Sequence, residues 1–254
     1  MEIAGEVLTL GPGATRFAVG DRVMAIVGGG GQAEQCVVHE RHLLPVPPGL
    51  AWDEAGGFPE VFTTAFDALF RQCHLQVGEA VCVHGAAGGV GIAGMQLAVA
   101  AGARVVATVR DPTRRREVAE LTGATAVDPK GFGEHGPFDV VLELVGAPNM
   151  AANLAALAIG GRISVIGVGA GAKAEINLLE LMGRRARIHG STLRARSLEE
   201  KATVARQMER HVLPLLRTGT VRVPVDAARP MAEAASAYDQ FAAGGKLGKI
   251  VLMS

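Results

Sequence analysis

Between the apolar run Ala80-Val81-Cys82-Val83 and a second apolar stretch beginning at Ile92 lies the turn Ala86-Ala87-Gly88-Gly89-Val90-Gly91. A buried strand that passes through a glycine-rich turn straight into a helix specifies a parallel sheet with the turn at the strand's carboxyl end. The glycines have separate tasks: Gly88 lets the backbone approach a ligand, and Gly91 lets helix and strand pack closely. The first position of the pattern is Ala86, which the backbone tolerates at negative φ. The amides of Gly89 and Val90 open the helix, have no carbonyl one turn earlier, and face an anion. With the next apolar run at 104–109, the spacing matches one βαβ unit of about 30 residues. The turn therefore predicts a dinucleotide pyrophosphate site.

The same alternation continues. Apolar runs at 104–109, 125–127, 139–144, 162–166 and 186–189 are separated mostly by helical sequence. The pattern predicts an α/β fold with a doubly wound Rossmann sheet. Ahead of it, β-type runs at 6–10 and 22–27 are punctuated by Gly11-Pro12-Gly13, Gly20-Asp21 and Gly28 to Gly31, as in a second, smaller, mostly antiparallel β-lobe. A helical stretch over 53–71 follows. Ser197 and Glu200 form a capping box for a helix running to about Leu216, with Gly219 as its stop. The tail reads strand, helix, strand, and its final run, Ile250-Val251-Leu252, can return to the first lobe. The expected division is a β-lobe over 1–56, a Rossmann domain over 57–205 and a C-terminal return over 206–254.

Composition excludes several function classes. Lys+Arg and Asp+Glu are both 25, so no net field draws the chain to nucleic acid or to an anionic membrane. No apolar stretch reaches the roughly 18 residues of a membrane span, and the start, with Glu2 and Glu6, lacks the pattern of a signal peptide. Cys36, Cys73 and Cys82 are scattered and form no C-x-x-C pair, which argues against a disulfide scaffold and a structural zinc site and for a reducing cytoplasm. His39 and His42 read as turn residues, and no metal site is expected. Tyr238 is followed four residues later by Ala242, so the Tyr–Lys acid of short-chain dehydrogenases is missing. Asp139 and Glu143 lie on a strand and read as structural or cleft-edge groups rather than a general acid pair, which leaves no catalytic acid to name.

The nucleotide is read from the end of the second strand. A site for NADH places an acid there, whereas this chain has Val109 and Arg110. Arg110 and Arg114 can clamp a 2′-phosphate through charge-assisted hydrogen bonds, which favours NADPH over NADH. A register shift of one residue would make Asp111 a ribose acceptor and reverse the preference. Arg115 and Arg116 read as a solvated helix start.

Several segments together resemble the quinone oxidoreductases of the medium-chain dehydrogenase/reductase superfamily. They are Val19-Gly20-Asp21-Arg22-Val23, Gly29-Gly30-Gly31-Gln32-Ala33-Glu34, Leu44-Pro45-Val46-Pro47, the run from His84 to Gly91, Gly160-Gly161-Arg162, the run from Gly190 to Arg196 and Gly248-Lys249-Ile250-Val251-Leu252. The segment Ser191-Thr192-Leu193-Arg194-Ala195-Arg196 leans toward the p53-inducible branch of that family. The resemblance implies a GroES-like β-lobe, a Rossmann lobe with NADPH in the cleft, and a homodimer through the Rossmann edge strand. It puts Thr63 by the nicotinamide ribose, Gly88, Gly89 and Val90 by the pyrophosphate, and Arg110 and Arg114 by the adenosine phosphate. Val145, Gly146, Gly167 and Val168 would line the nicotinamide pocket, Thr192 and Leu193 would close it, and Lys246 would add a polar contact. Pro129 stands where relatives commonly place a Tyr against the adenine. The β-lobe is expected to lack its first strands, since relatives are about one-quarter complete where this sequence starts. The catalytic zinc ligands of the alcohol dehydrogenase branch are not found.

The reaction so implied is hydride transfer to a quinone or an α,β-unsaturated carbonyl, governed by proximity and without a metal. Phe58, Phe62 and Phe132 are candidates for an apolar substrate cleft. A non-catalytic NADPH-binding protein, such as a redox sensor or a crystallin-like protein, is the alternative.

Overall fold

A computed structural model describes all residues, 1–254. The chain forms two compact units, one made of Met1–Thr63 with Leu193–Ser254 and the other of Thr64–Thr192.

In the first unit, β1 (Glu2–Glu6) pairs antiparallel with β2 (Arg22–Ile26), which pairs antiparallel with β3 (Leu44–Pro45). Val23, Ala25 and Leu43 form the small core between them, with Ile3, Val7 and Phe17 packed against it. The strand expected over 6–10 is not formed. The ladder closes at Val7, whose amide donates to Asp21 and whose carbonyl accepts from Gly20, and beyond it Leu8 and Leu10 are exposed. The helix expected over 53–71 is three pieces: α1 (Trp52–Gly57), α2 (Pro59–Phe66) and a π-helical turn at Asp67–Gln72. Pro59 has no amide to continue the ladder of α1, so the chain breaks there.

The second unit holds a parallel sheet: β4 (Ala80–Val83), β5 (Arg104–Thr108), β6 (Thr125–Val127), β7 (Phe138–Glu143), β8 (Leu157–Val165) and β9 (Arg187–Gly190), in the order β6-β5-β4-β7-β8-β9. Between them run α3 (Gly89–Ala100), α4 (Pro112–Thr122), α5 (Met150–Ala155) and α6 (Leu178–Arg184). Val81, Cys82 and Val83 are fully buried in succession, so both faces of the central strand are covered and its sequence is continuously apolar. One core layer packs Phe132, Phe138, Leu154 and Leu157 against Cys82, Val106, Val141 and Ile163. Arg162 pins the unit below the sheet: it donates to both Glu79 oxygens at 2.8 Å and to the Cys73 carbonyl at 2.8 Å.

The chain then returns to the first unit through α7 (Leu198–His211), α8 (Leu213–Arg217), β10 (Val225–Pro230), α9 (Ala234–Ala243) and β11 (Lys249–Met253), with β10 and β11 parallel. The capping box forms: Ser197 Oγ accepts from the Glu200 amide and the Glu200 carboxylate accepts from the Ser197 amide. The helix ends at His211 rather than near Leu216, because Pro214 has no amide to extend the ladder. Arg206 donates to the Leu43 carbonyl and Arg41 forks onto Glu199, so α7 belongs to the first unit. The units accordingly divide at 63/64 and 192/193 instead of 56/57 and 205/206. Lys249 on β11 is ion-paired to Glu2 on β1. No helix is long and apolar enough to cross a membrane.

Candidate functional site

The strand order creates a switch point in the second unit. After β6, at one edge, the chain recrosses to β7 on the far side of β4, so the connections leaving β4 and β7 diverge at their carboxyl ends. Such a divergence leaves a crevice where ligands of open α/β sheets bind. Helix α3 begins there. Its N-cap is Gly88, extended at φ −80° and ψ 163°, with no capping side chain and no acid in the first turn. The first internal bond runs from the Ile92 amide to the Gly88 carbonyl at 2.9 Å, so the amides of Gly89, Val90 and Gly91 lie ahead of the ladder. Residues Ala87 to Val90 are partly exposed. A Cβ on Gly91 would lie 2.7 Å from both the Ala86 Cα and the Gly85 carbonyl oxygen, whereas one on Gly88 would meet only that oxygen, at 3.4 Å. Open, uncapped amides above a turn pressed flat by Gly91 form a cradle that fits a pyrophosphate.

The other strand ends converge on this turn. Gly146, at φ +113°, is packed so tightly that a Cβ would lie 2.5 Å from the Gly171 carbonyl oxygen and 2.9 Å from the Val168 Cα. On Gly167 a Cβ would meet the Leu144 carbonyl oxygen at 2.5 Å, and on Gly85 it would reach the side chains of Leu144 and Val145 at 3.2 and 3.6 Å. The expected residues Val145, Gly146, Gly167 and Val168 are thus brought together beside the turn that carries Gly88, Gly89 and Val90. Thr192, just past β9, is exposed.

Beneath these turns runs a buried polar network that sequence reasoning did not find. Glu143, fully buried, accepts through Oε1 from the amides of Val145 (2.6 Å) and Gly146 (2.8 Å), and through Oε2 from Asn153 Nδ2 (2.6 Å). Asn149 Nδ2 bridges both oxygens at 3.3 and 3.2 Å. Because Asn153 spends its amide on Glu143, its Oδ1 faces His84 and accepts from Nε2 at 2.7 Å. The Nδ1 of His84 then accepts from the Thr108 hydroxyl at 2.9 Å. Burial pushes the His84 ring below its ordinary range, against the charge of Glu143 and the Asn153 bond, which keeps the imidazole neutral in that tautomer. The reading of Glu143 as structural was correct but incomplete. The available signal was Asn153, a lone amide in the apolar run Ala151 to Leu157.

At the end of β5, Arg110 is exposed. Asp111 caps α4: its Oδ1 accepts from the Thr113 amide (2.9 Å) and hydroxyl (2.6 Å), and those bonds hold its carboxyl below the usual range. Arg114 pairs with Glu117 at 2.7 Å. Arg116 is exposed beside Glu120, but Arg115 is not a solvated helix start. It donates to the Val109 carbonyl at 3.0 Å and is ion-paired to Asp128, bracing the ends of β5 and β6.

In the first unit, Thr63 and Leu193 line one small apolar pocket of about 30 Å³ with Ile26, Leu44, Pro59 and Val204, room for about one water. Lys246 donates to the Gly248 carbonyl at 2.9 Å and lies 5.0 Å over the Phe241 ring; burial pushes its ammonium below the ordinary range. The proposed Phe cleft is not formed. Phe58 and Phe62 are buried and stacked at 4.6 Å in the first unit, while Phe132 is core in the second, edge-on to His84. No three His, Cys, Asp or Glu side chains are grouped to hold a metal ion. All three cysteines are free, and burial pushes the thiols of Cys73, to about 11, and of Cys82 upward.

Residues 1–70 match the alcohol dehydrogenase GroES-like domain, and residues 89–210 match the zinc-binding dehydrogenase family. Quinone oxidoreductase of Rattus norvegicus is 30% identical over 99% of this chain and 78% of its own length. The crystal structure of the quinone oxidoreductase from Thermus thermophilus, determined also in complex with NADPH, is 31% identical with a TM-score of 0.84, covering 100% of this chain and 80% of that one. A mycobacterial protein complexed with NADPH is 25% identical with a TM-score of 0.88, covering 100% of this chain and 81% of that one. With a Rossmann sheet, a GroES-like lobe and these relatives, the chain belongs to the medium-chain dehydrogenase/reductase superfamily of oxidoreductases, in the company of its quinone oxidoreductases.

Proposed function

We propose that the chain is an NADPH-dependent oxidoreductase that passes hydride to a quinone or an α,β-unsaturated carbonyl without a metal ion. The carrying observation is the uncapped start of α3, where the amides of Gly89, Val90 and Gly91 precede the ladder at the switch point. When bound, NADPH supplies the hydride from its nicotinamide. The chain's part is to hold it: the amides at Gly89 and Val90 take the pyrophosphate, Gly88 gives it room, and Arg110 with Arg114 takes the 2′-phosphate. Asp111 is occupied as a helix cap, which weakens the NADH alternative. Val145, Gly146, Gly167 and Val168 form the nicotinamide side. Thr63, Thr192, Leu193 and Lys246 carry the family's remaining cofactor assignments, each open to substitution. Reduced quinones and enolates take a proton from water, so no side chain is assigned as acid.

We also propose a cytoplasmic homodimer. The outer edge of β9 is unpaired, and Leu178, Leu179 and Met182 on the adjoining α6 are exposed. The test of function is loss of NADPH absorbance on adding a simple quinone or an enone, with NADH as comparison. NADPH that binds and is consumed by neither acceptor would favour the non-catalytic alternative.

A further inference from the structure

We propose that Thr108, His84, Asn153 and Glu143 form one oriented hydrogen-bond chain that sets three cofactor-facing turns at once, making them positioning residues for NADPH. The inference rests on the NADPH reading and deepens it. Each strand-borne member stands just before a turn of the site. Thr108 ends β5 ahead of Val109 and Arg110, His84 follows β4 ahead of Gly85 to Gly88, and Glu143 ends β7 ahead of Val145 and Gly146. Asn153, from α5, joins the last two.

The chain has a single possible direction. Both Glu143 oxygens accept only, from two backbone amides and two side-chain amides. That fixes the Asn153 flip, which fixes the His84 tautomer, which makes Thr108 the donor at the far end. Flipping Asn153 sets donor against donor and acceptor against acceptor, and turning any other member leaves a bond unmade in a buried site, where that is costly. The middle of the sheet is held by apolar packing, and a buried carboxylate adds little stability that a hydrocarbon would not. What this one does that a hydrocarbon cannot is bind the two peptide amides of the nicotinamide-side turn and tie them to the phosphate turn.

Polarity makes the proposal testable by a charge swap. Glu143→Gln puts an amide donor against donors, and Asn153→Asp sets a second carboxylate against Glu143. In the double variant the new amide donates to the new carboxylate, which still accepts from His84 Nε2, so the chain is restored with its charge moved by one residue. We expect each single variant to raise the NADPH dissociation constant by at least about tenfold, as for a lost bond to a charged group. The double variant should recover to within about threefold of the parent, a strong coupling. In that variant the His84 ring, now facing a carboxylate directly, should titrate at higher pH by NMR than in the parent. Single variants that fold and bind NADPH within about twofold of the parent overturn the proposal. So does a double variant that regains thermal stability but not NADPH affinity. If the single variants do not fold, Thr108→Val removes only the terminal donor. It should raise KM for NADPH several-fold with kcat little changed, and an unchanged KM is again contrary. A parent that binds no NADPH removes the underlying reading as well; a parent that binds, with variants that bind equally, removes only this inference.

Discussion

Gly91 lies so close to Ala86 that a methyl group on it would come within 2.7 Å of the Ala86 Cα. Gly91→Ala must therefore push α3 off its strand, and we expect a loss of about 1–3 kcal/mol in stability with loss of NADPH binding. Gly88→Ala is the contrast, because its Cβ meets only one atom, at ordinary contact distance. Its stability should stay within about 0.5 kcal/mol of the parent, while NADPH affinity falls because the ligand needs that space. Thermal melts and NADPH titrations on both variants separate the two roles, and equal affinities for Gly88→Ala and the parent would remove the pyrophosphate assignment.

Arg110 carries the nucleotide preference in this reading. Arg110→Ala should weaken NADPH by roughly 1.5–3 kcal/mol, the range for bonds to a charged group, and leave NADH unchanged. Arg114→Ala should do less, since its guanidinium is already engaged by Glu117. Dissociation constants for both nucleotides decide the matter; a parallel loss for NADPH and NADH would mean that Arg110 does not meet the 2′-phosphate.

Arg162 and Glu79 should matter to stability alone, since they lie at the amino ends of the strands. Burial pushes the Glu79 carboxyl up, but the Arg162 guanidinium and the Gln76 amide outweigh it and hold the group below its ordinary value of 4.5. A depressed carboxyl stabilises the fold above the unfolded value and loses that contribution as pH falls through the folded one. The parent should melt progressively lower below about pH 4.5, and Glu79→Gln should flatten that slope. Arg162→Met should lower stability by about 2–4 kcal/mol at neutral pH by stranding Glu79, with NADPH affinity unaltered in the folded fraction.

His84 gives a second pH signature of a different origin. Its ring is held below 6.5 by burial, so as pH falls the unfolded chain takes up a proton before the folded one does. The stability it contributes is complete above that value and is lost as pH falls below it. His84→Gln keeps a donor and an acceptor but does not titrate, so its melting temperature should fall less than the parent's between about pH 7 and 5.5. Identical slopes would show that the ring takes up its proton as readily in the folded protein as in the unfolded chain.

The parallel sheet and the phosphate turn are legible because each is written locally, as an apolar run or a turn, whereas the strand-end glycines Gly146 and Gly167 come only from the family resemblance. Helix ends were misread where a proline intervened: Pro59 and Pro214 each break a periodicity that the apolar pattern alone carries through. The His84 network was invisible because its partners are 24 and 69 residues away and meet only once the strand order is known. Arg115 was misjudged for the same reason, since Asp128 reaches it across a strand connection. Phe58 and Phe62, read as candidates for pocket lining, are instead fully buried and stacked on each other, because large apolar rings are stabilised by burial in a core.

The ion pair between Glu2 and Lys249 sets an order of assembly. During synthesis the segment 64–192 emerges whole and can close its βαβ crossovers as it leaves the ribosome, and β1 can pair early with β2, whereas Glu2 must wait for Lys249, 247 residues further on, before its ion-pair partner exists. The small sheet of β1, β2 and β3 is therefore in place long before β11 brings the ammonium that ties the two segments of the unit together.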